Sequence, residues 1–268
     1  MIGFGIYLTV TAFLGAWAWS YIARYLTTQG GAELTGSYSA GYMLVTYLAT
    51  LLQAVTDSEY YPRLSATGNN LPQSHNLMSS QAMAMCMLAG PVVILFMLCL
   101  PAVVYVVLDY DKFQGAIMVA QVAVAGLFFK SVSQPVAYLV LARSDSRIYI
   151  LQETICNAFL VLCVVVGYSN WGLLGLGLSL AVWELIYLVL VLVVSRLRYG
   201  YVMSAELVRS FLVQGAFVVL AVTCLCIGQR IWLPGGILMF LASAAVSVRF
   251  FSRHTSFFQT ILSKSRHH

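Results

Sequence analysis

Charged residues are scarce in this sequence of 268 residues, at 9% of the chain, where soluble domains carry about 25%. Hydrophobic residues make up 61%, and the mean hydropathy is +0.88. Because a backbone inside lipid must satisfy its own hydrogen bonds, this composition predicts an all-α, polytopic membrane helix bundle.

Common catalytic motifs are missing as well. The sequence contains no G-x-x-x-x-G-K-[ST], no G-x-S-x-G and no H-E-x-x-H, which argues against ATP hydrolysis, serine hydrolysis and zinc peptidase chemistry. All four histidines, His75, His254, His267 and His268, lie outside the long apolar runs. We therefore expect no enzyme and no cofactor, but a carrier, a channel or a scaffold for membrane enzymes.

Basic clusters and a cysteine framework are also lacking. The 14 lysines and arginines are scattered one to three per loop, which argues against a nucleic-acid partner. All six cysteines lie within apolar runs, where we interpret them as packing residues and not as disulfides or metal ligands. No basic segment precedes the first apolar run, so we expect that run to stay in the membrane.

Apolar runs of membrane-spanning length, about 20 residues, recur along the chain. They fall at about 2–23, 36–57, 82–107, 116–141, 148–168, 172–195, 210–228 and 233–250. The pattern predicts about eight transmembrane helices, with the longest loop, ending near Ser80, between the second and the third.

The loops differ in charge. The side shared by the two termini carries ten basic residues: Arg63, Arg143, Arg147, Arg196, Arg198, Arg209, Arg249, Arg253, Lys264 and Arg266. The opposite side carries Arg24, Lys112 and Arg230. By the positive-inside rule, both termini are expected in the cytoplasm.

The second apolar run has a polar face. Six residues recur at spacings of three and four: Ser39, Tyr42, Thr46, Thr50, Gln53 and Asp57. At about 100° per residue they share one side of a helix. This face either forms a dry polar contact with a neighbouring helix or lines a water-filled cavity, and the carboxylate at its end favours the cavity.

A lysine lies in the middle of the fourth apolar run. Lys130 shares a helix face with Ser133 and Gln134, and Pro135 beside them predicts a kink. A charge at this depth is costly, which indicates a functional site.

Two carboxylates on later runs could pair with Lys130. Glu153 and Asn157 lie one turn apart on the fifth run, and Glu184 lies in the middle of the sixth. Depth alone does not choose between the two glutamates, since a lysine side chain can extend along a helix.

Three segments carry a family resemblance: GSYSAGYMLVTYLATLLQAVTDSEYYPRLSA (36–66), GLFFKSVSQPVAYLVLARSDSRIYILQETICN (126–157) and WGLLGLGLSLAVWELIYL (171–188). They resemble the carboxy-terminal half of Wzx-type O-antigen and polysaccharide flippases, of the multidrug/oligosaccharidyl-lipid/polysaccharide (MOP) exporter superfamily. The resemblance implies a six-helix lobe over residues 1–200. Residues 201–250 would add two helices, and residues 251–268 a basic cytoplasmic tail.

The resemblance also implies a function. Wzx-type proteins move undecaprenyl-linked oligosaccharide across the bacterial inner membrane between two six-helix lobes. This chain starts at what corresponds to the seventh helix, so a separate chain or a second copy would supply the other lobe. The alternative is a truncated, non-transporting membrane protein or a scaffold for polysaccharide-assembly enzymes.

The residue roles that follow are expectations. Lys130 in the cavity and Arg63 at its cytoplasmic mouth would bind the anionic diphosphate. Asp57, Glu153 and Glu184 would balance charge or couple transport to a cation or a proton, with Gln134 and Asn157 beside them.

Overall fold

Helices make up the described architecture. The computed structural model describes the backbone of residues 2–57, 59–68, 70–107 and 110–264, with no strand among them, and omits the side chains of residues 2–8, 55–57, 110–112, 229–230 and 254–264. The helices are α1 (Ile2–Asp57), α2 (Tyr60–Ala66), α3 (Leu71–Val107), α4 (Tyr110–Ala123), α5 (Gly126–Ala142), α6 (Ser146–Tyr199), α7 (Ala205–Ile227) and α8 (Gln229–Lys264).

Helix α1 is a hairpin. Gly31 has φ 73° and interrupts the helix; this left-handed conformation favours glycine because a Cβ would be strained there. The rings of Trp19 and Tyr42 lie 3.9 Å apart between centroids, whereas a straight helix would separate the two residues by about 35 Å. The halves on either side of Gly31 therefore run antiparallel.

Helix α6 folds back in the same way at Gly172, where φ is 56°. The Trp183 indole Nε1 donates to the carbonyl of Cys156 at 3.0 Å, which joins the two halves. Glycine makes this close contact possible, since a Cβ at Gly175 would collide with the backbone of Gly167.

Helices α4 and α5 form one bent span. The axis turns by 49° at the break between them, and α5 continues through Pro135. This span breaks at Val124–Ala125, before Pro135, where a kink is predicted, and at the break the amides of Leu127 and Phe128 donate to the carbonyls of Val124 and Ala125 in a tight turn. Lys130 follows this turn by about one helical turn.

Four helices are long and apolar enough to cross a membrane, or five with the bent α4–α5 pair as one span, so the chain is a multi-pass membrane protein. These candidates are α3, α6, α7, most of α8 and the bent pair, and α6 among them is folded into two antiparallel halves. Helix α1, for which the first two apolar runs predict two spans, is not among the candidates within the described residues.

The predicted loop before the third run is largely helical. Helix α2 occupies residues 60–66, and α3 begins at Leu71, well before the predicted position 82. The Asn70 side chain accepts from the amide of Gln73 at 3.2 Å and caps α3. Pro72 is tolerated in the first turn because its missing N–H has no partner there.

Helices α7 and α8 pack on α3 and on each other through a buried neutral network, the Gln214 cluster. The Gln214 amide donates to Ser247 Oγ at 2.9 Å and accepts from Ser243 Oγ at 2.6 Å. Ser247 Oγ in turn donates to the carbonyl of Met87 on α3 at 2.6 Å. Position 90 is a glycine, and a Cβ there would collide with the side-chain amide of Gln214 unless that amide moved. Hydrogen bonds of this kind hold helices together in lipid, where the hydrophobic effect does not.

Candidate functional site

A cavity of about 230 Å³ lies between α1, α5 and α6, and we call it the Lys130 cavity. Its walls are formed by Gln53, Lys130, Gln134, Ala137, Tyr138, Leu141, Tyr149, Gln152, Glu153, Trp183, Glu184 and Tyr187. Five of the residues expected at the site therefore meet in one place: Gln53, Lys130, Gln134, Glu153 and Glu184.

Lys130 forms an ion pair with Glu184. The Lys130 Nζ lies 3.4 Å from Glu184 Oε1, and the two side chains are 30% and 10% exposed. The structure thus selects Glu184 as the partner between the two glutamates that the sequence left open.

Gly126 brings the two residues of this pair together. It lies one turn before Lys130 on the same face of α5. A Cβ at this position would come within 3.1 Å of the Ala181 Cα and 3.2 Å of the Glu184 Cγ. The absence of a side chain therefore lets α6 approach α5 closely enough for Glu184 to reach Lys130. Nothing in the sequence pattern indicates this role of Gly126.

Glu153 lies on the other half of the α6 hairpin and faces the same cavity. The Tyr187 hydroxyl donates to Glu153 Oε1 at 3.4 Å, so this contact also links the two halves of α6. Asn157 is half-buried and donates its side-chain amide to the carbonyl of Glu153 at 2.9 Å. Asn157 therefore supports the helix near the cavity, while Glu153 forms part of the wall.

Gln134 and Gln152 supply neutral polar groups. Gln134 Nε2 donates to the Tyr138 hydroxyl at 2.8 Å. Gln152 is only 3% exposed, and among the described residues its Oε1 has no hydrogen-bond donor. Because a buried acceptor without a donor is costly, this oxygen suits a ligand that donates a hydrogen bond. Ser133 is buried on a different side and bonds the carbonyl of Lys130.

Helix α2 packs on α5 beside the cavity. The Tyr60 hydroxyl donates to the carbonyl of Pro135 at 2.7 Å, and the Tyr60 ring stacks on Tyr138 with 6.1 Å between centroids. Arg63, on the same short helix, is exposed and does not line the cavity.

The polar face of α1 lies on the outside of the bundle. Ser39, Thr46 and Thr50 are exposed, and the hydroxyls of Thr46 and Thr50 each bond a carbonyl of α1 at 2.9 Å. Tyr42 is half-buried against Trp19 and lies near Lys130, and Gln53 is the member of this set that lines the cavity among the described side chains. The side chain of Asp57 lies outside the described residues.

A second ion pair closes the open end of the α6 hairpin. Arg198 Nε donates to Asp145 Oδ2 at 3.2 Å, and Arg198 is 61% exposed. The Tyr199 hydroxyl donates to the same oxygen at 3.3 Å. Burial, and then the Asp145 carboxylate, raise the pKa of Tyr199 to about 12. No group of three or more possible metal ligands occurs within the part of the chain that the structure describes.

The arrangement of these helices is similar to that of solved transporters, two of which are named as members of the MOP superfamily. The sequence itself matches no protein-family model, and no curated protein matches it. The solved structures below show the fold alone, since each is less than 25% identical to this chain.

Three of the similar structures are transporters. The lipid II flippase MurJ in an inward closed conformation matches 87% of this chain with a TM-score of 0.58 and 11% identity. A MOP superfamily transporter from Pyrococcus furiosus matches 91% with a TM-score of 0.55 and 14% identity. An outward-facing multidrug resistance MATE family transporter matches 91% with a TM-score of 0.54 and 14% identity. The chain spans 52% of the flippase and 63% of each of the other two.

Proposed function

We propose that this chain forms one lobe of a flippase that moves lipid-linked oligosaccharide, including O-antigen or related polysaccharide precursors, across a bacterial cytoplasmic membrane. The observation that carries the proposal is an ion pair, Lys130–Glu184, on the wall of a cavity between membrane-spanning helices. Charges inside a membrane are expensive and mark substrate pathways. The fold supports the proposal, since one structure that shares it is named a lipid II flippase.

Lys130 is the proposed contact for the anionic diphosphate of the substrate. Its ammonium group carries three donors and is already oriented towards the cavity by Glu184. Gln134 and Gln152 lie in the same wall, where an amide donor and an unpaired acceptor suit sugar hydroxyls. The polar groups therefore match a headgroup that is anionic at one end and hydroxylated at the other.

The cavity volume limits what it encloses. At about 230 Å³ it is smaller than the ~300–1,000 Å³ of typical ligand pockets. It therefore fits a diphosphate and part of one sugar. The rest of the glycan would lie along the exposed polar face of α1, at Ser39, Thr46 and Thr50.

A second lobe would complete the pathway across that face of α1. We propose that a separate chain or a second copy provides it, and that the two bundles rock about a shared site as in alternating-access transporters. With ten basic residues on one side and three on the other, both termini lie in the cytoplasm in this proposal. Arg63 would then meet the headgroup before it reaches Lys130.

The test uses the full chain in lipid nanodiscs with a fluorescent polyprenyl-diphosphate oligosaccharide as the probe. We expect binding to the wild type, and at least a tenfold loss in the double variant Lys130→Met/Glu184→Gln, which corresponds to about 1.4 kcal/mol. The matched control is Arg198→Gln/Asp145→Asn, which removes the surface ion pair and should bind like the wild type.

Two results would contradict the proposal. Equal binding by the Lys130→Met/Glu184→Gln protein would exclude this site, and equal binding of a neutral polyprenol would exclude an anionic headgroup. Movement of the probe across proteoliposomes would show that copies of this chain suffice. Binding without movement would support a separate partner lobe or a non-transporting scaffold.

A further inference from the structure

The lining of the Lys130 cavity contains one cation and two carboxylates among the described residues. Lys130 comes from α5, and Glu153 and Glu184 come from the two halves of α6. The other titratable groups that the described helices bring to this site are tyrosines and one thiol: Tyr42, Tyr138, Tyr149, Tyr187 and Cys156. None of them supplies a second positive charge.

Lys130 is already engaged. Its Nζ lies 3.4 Å from Glu184 Oε1, while Glu153 accepts from the Tyr187 hydroxyl at 3.4 Å. An anion that binds Lys130 therefore competes with Glu184 for the same ammonium charge. The glutamate occupies the place beside the lysine that the ligand needs.

We propose that an anion binding at Lys130 displaces Glu184, and that the released Glu184 carboxylate takes up one proton from water. The contact between Nζ and Oε1 is lost, a new contact forms between Nζ and an oxygen of the anion, and an O–H bond forms on Glu184. This inference rests on the proposed function, because it requires that Lys130 bind the diphosphate.

The cost of leaving Glu184 ionised drives the protonation. The residue is 7% exposed, and a buried charge that loses its partner costs several kcal/mol. Glu153 in the same cavity is a second carboxylate, which repels the first. Helices α5 and α6 are in close contact at Gly126, beside the Cβ and Cγ of Glu184. Taking up a proton removes the uncompensated charge without moving either helix.

The proposed proton uptake determines the direction in which the affinity for the anion changes with pH. If the complex holds one more proton than the free protein and ligand, affinity falls by about tenfold for each unit of pH rise. Simple attraction between Lys130 and an anion, with Glu184 remaining ionised, would give no such dependence while the lysine stays protonated.

The experiment is isothermal titration calorimetry of the full chain in nanodiscs with farnesyl diphosphate, above the last ionisation of the diphosphate. Repeating the titration in buffers of different ionisation enthalpy counts the protons taken up. We expect about one proton per bound ligand for the wild type and about none for Glu184→Gln. Any protonation of the ligand is common to both proteins and cancels in the difference.

A matched variant identifies the carboxylate. Glu153→Gln should still take up about one proton, because Glu184 remains. Loss of proton uptake in Glu153→Gln, but not in Glu184→Gln, would overturn the assignment to Glu184. If the wild type, Glu184→Gln and Glu153→Gln all bind the ligand and take up the same number of protons, the inference is overturned, while the proposed binding site remains supported.

Two further outcomes keep the test decisive. If the wild type does not bind farnesyl diphosphate, the proposed function fails together with this inference. If Glu184→Gln does not fold, infrared difference spectra of the wild type replace it. They should show a protonated carboxyl group gained when the ligand binds, and an unchanged carboxyl region would overturn the proposal.

Discussion

Two polar clusters lie inside the apolar bundle, and they differ in charge and in free space. The Gln214 cluster is neutral, and its amide and hydroxyl groups bond one another and the carbonyls of Ser243 and Met87 at 2.6–3.3 Å. The Lys130 cavity has charged groups, an acceptor on Gln152 that finds no donor in the described part of the chain, and about 230 Å³ of space. A polar network with every group paired holds helices in place. A charged cavity with room and an unpaired acceptor is suited to a ligand instead.

The largest expected effect is that of Lys130→Met alone. Because it leaves Glu184 buried without its cation, we expect a loss of about 3–5 kcal/mol in stability. Adding Glu184→Gln should recover most of that loss, since both charges are then removed. Thermal unfolding of the purified proteins in detergent measures the loss in Lys130→Met and its recovery in the double variant. If Lys130→Met is as stable as the wild type, this ion pair does not hold α5 to α6.

Gln214→Leu should cost less, about 1–3 kcal/mol, because it leaves Ser243 and Ser247 without their amide partner. Binding of the diphosphate should not change. The matched control is Thr223→Val on the same helix, where the side chain is exposed. A loss of diphosphate binding in Gln214→Leu with normal folding would mean that the Gln214 cluster belongs to the ligand site.

Gly126→Ala should have a net cost of about 1 kcal/mol. Crowding against Ala181 and Glu184 costs about 1–3 kcal/mol, and the better helix propensity of alanine offsets about 1 kcal/mol of that. The control is Gly36→Ala, where an added Cβ would have no neighbour within 4 Å. Only the gain in helix propensity remains in this variant, so its melting temperature should rise. If both variants are stabilised, Gly126 does not position Glu184.

Asp145→Asn should have the smallest effect, below about 1 kcal/mol, since exposed ion pairs contribute little. It should also lower the pKa of Tyr199, because the carboxylate adds to the effect of burial. The neutral Tyr199 stabilises the fold below pH 10.0, and this contribution is lost as the pH rises towards about 12. Ultraviolet titration of the wild type, the variant and Tyr199→Phe measures the shift, and no difference between wild type and variant would exclude a contribution from Asp145.

The helical fold and the ionisable residues of the site were predictable from the sequence. Apolar runs predict helices of membrane-spanning length, because a span has a fixed length in lipid. Lys130, Glu153 and Glu184 are conspicuous because charges are rare in such runs. Their convergence on one cavity supports the choice of residues, whereas their roles remain predictions, as does the division of the chain at residue 200.

The choice of partner for Lys130 was not predictable, because it depends on Gly126. A glycine within an apolar run has no visible role until the facing helix is known. The break at Val124–Ala125 was not predictable either, because no residue type there signals it, whereas a kink at Pro135 stays a prediction. The extension of α3, by contrast, was signalled by Asn70 and Pro72.

The Lys130–Glu184 pair also has a consequence for biogenesis. The two residues are 54 positions apart in the chain, with the lysine first. At about 5–20 residues per second, the ribosome completes Glu184 roughly 3–10 s after Lys130. During that interval α5 carries a cation whose final partner does not yet exist. We therefore expect the α4–α5 segment to settle in the membrane only after the α6 hairpin has been made.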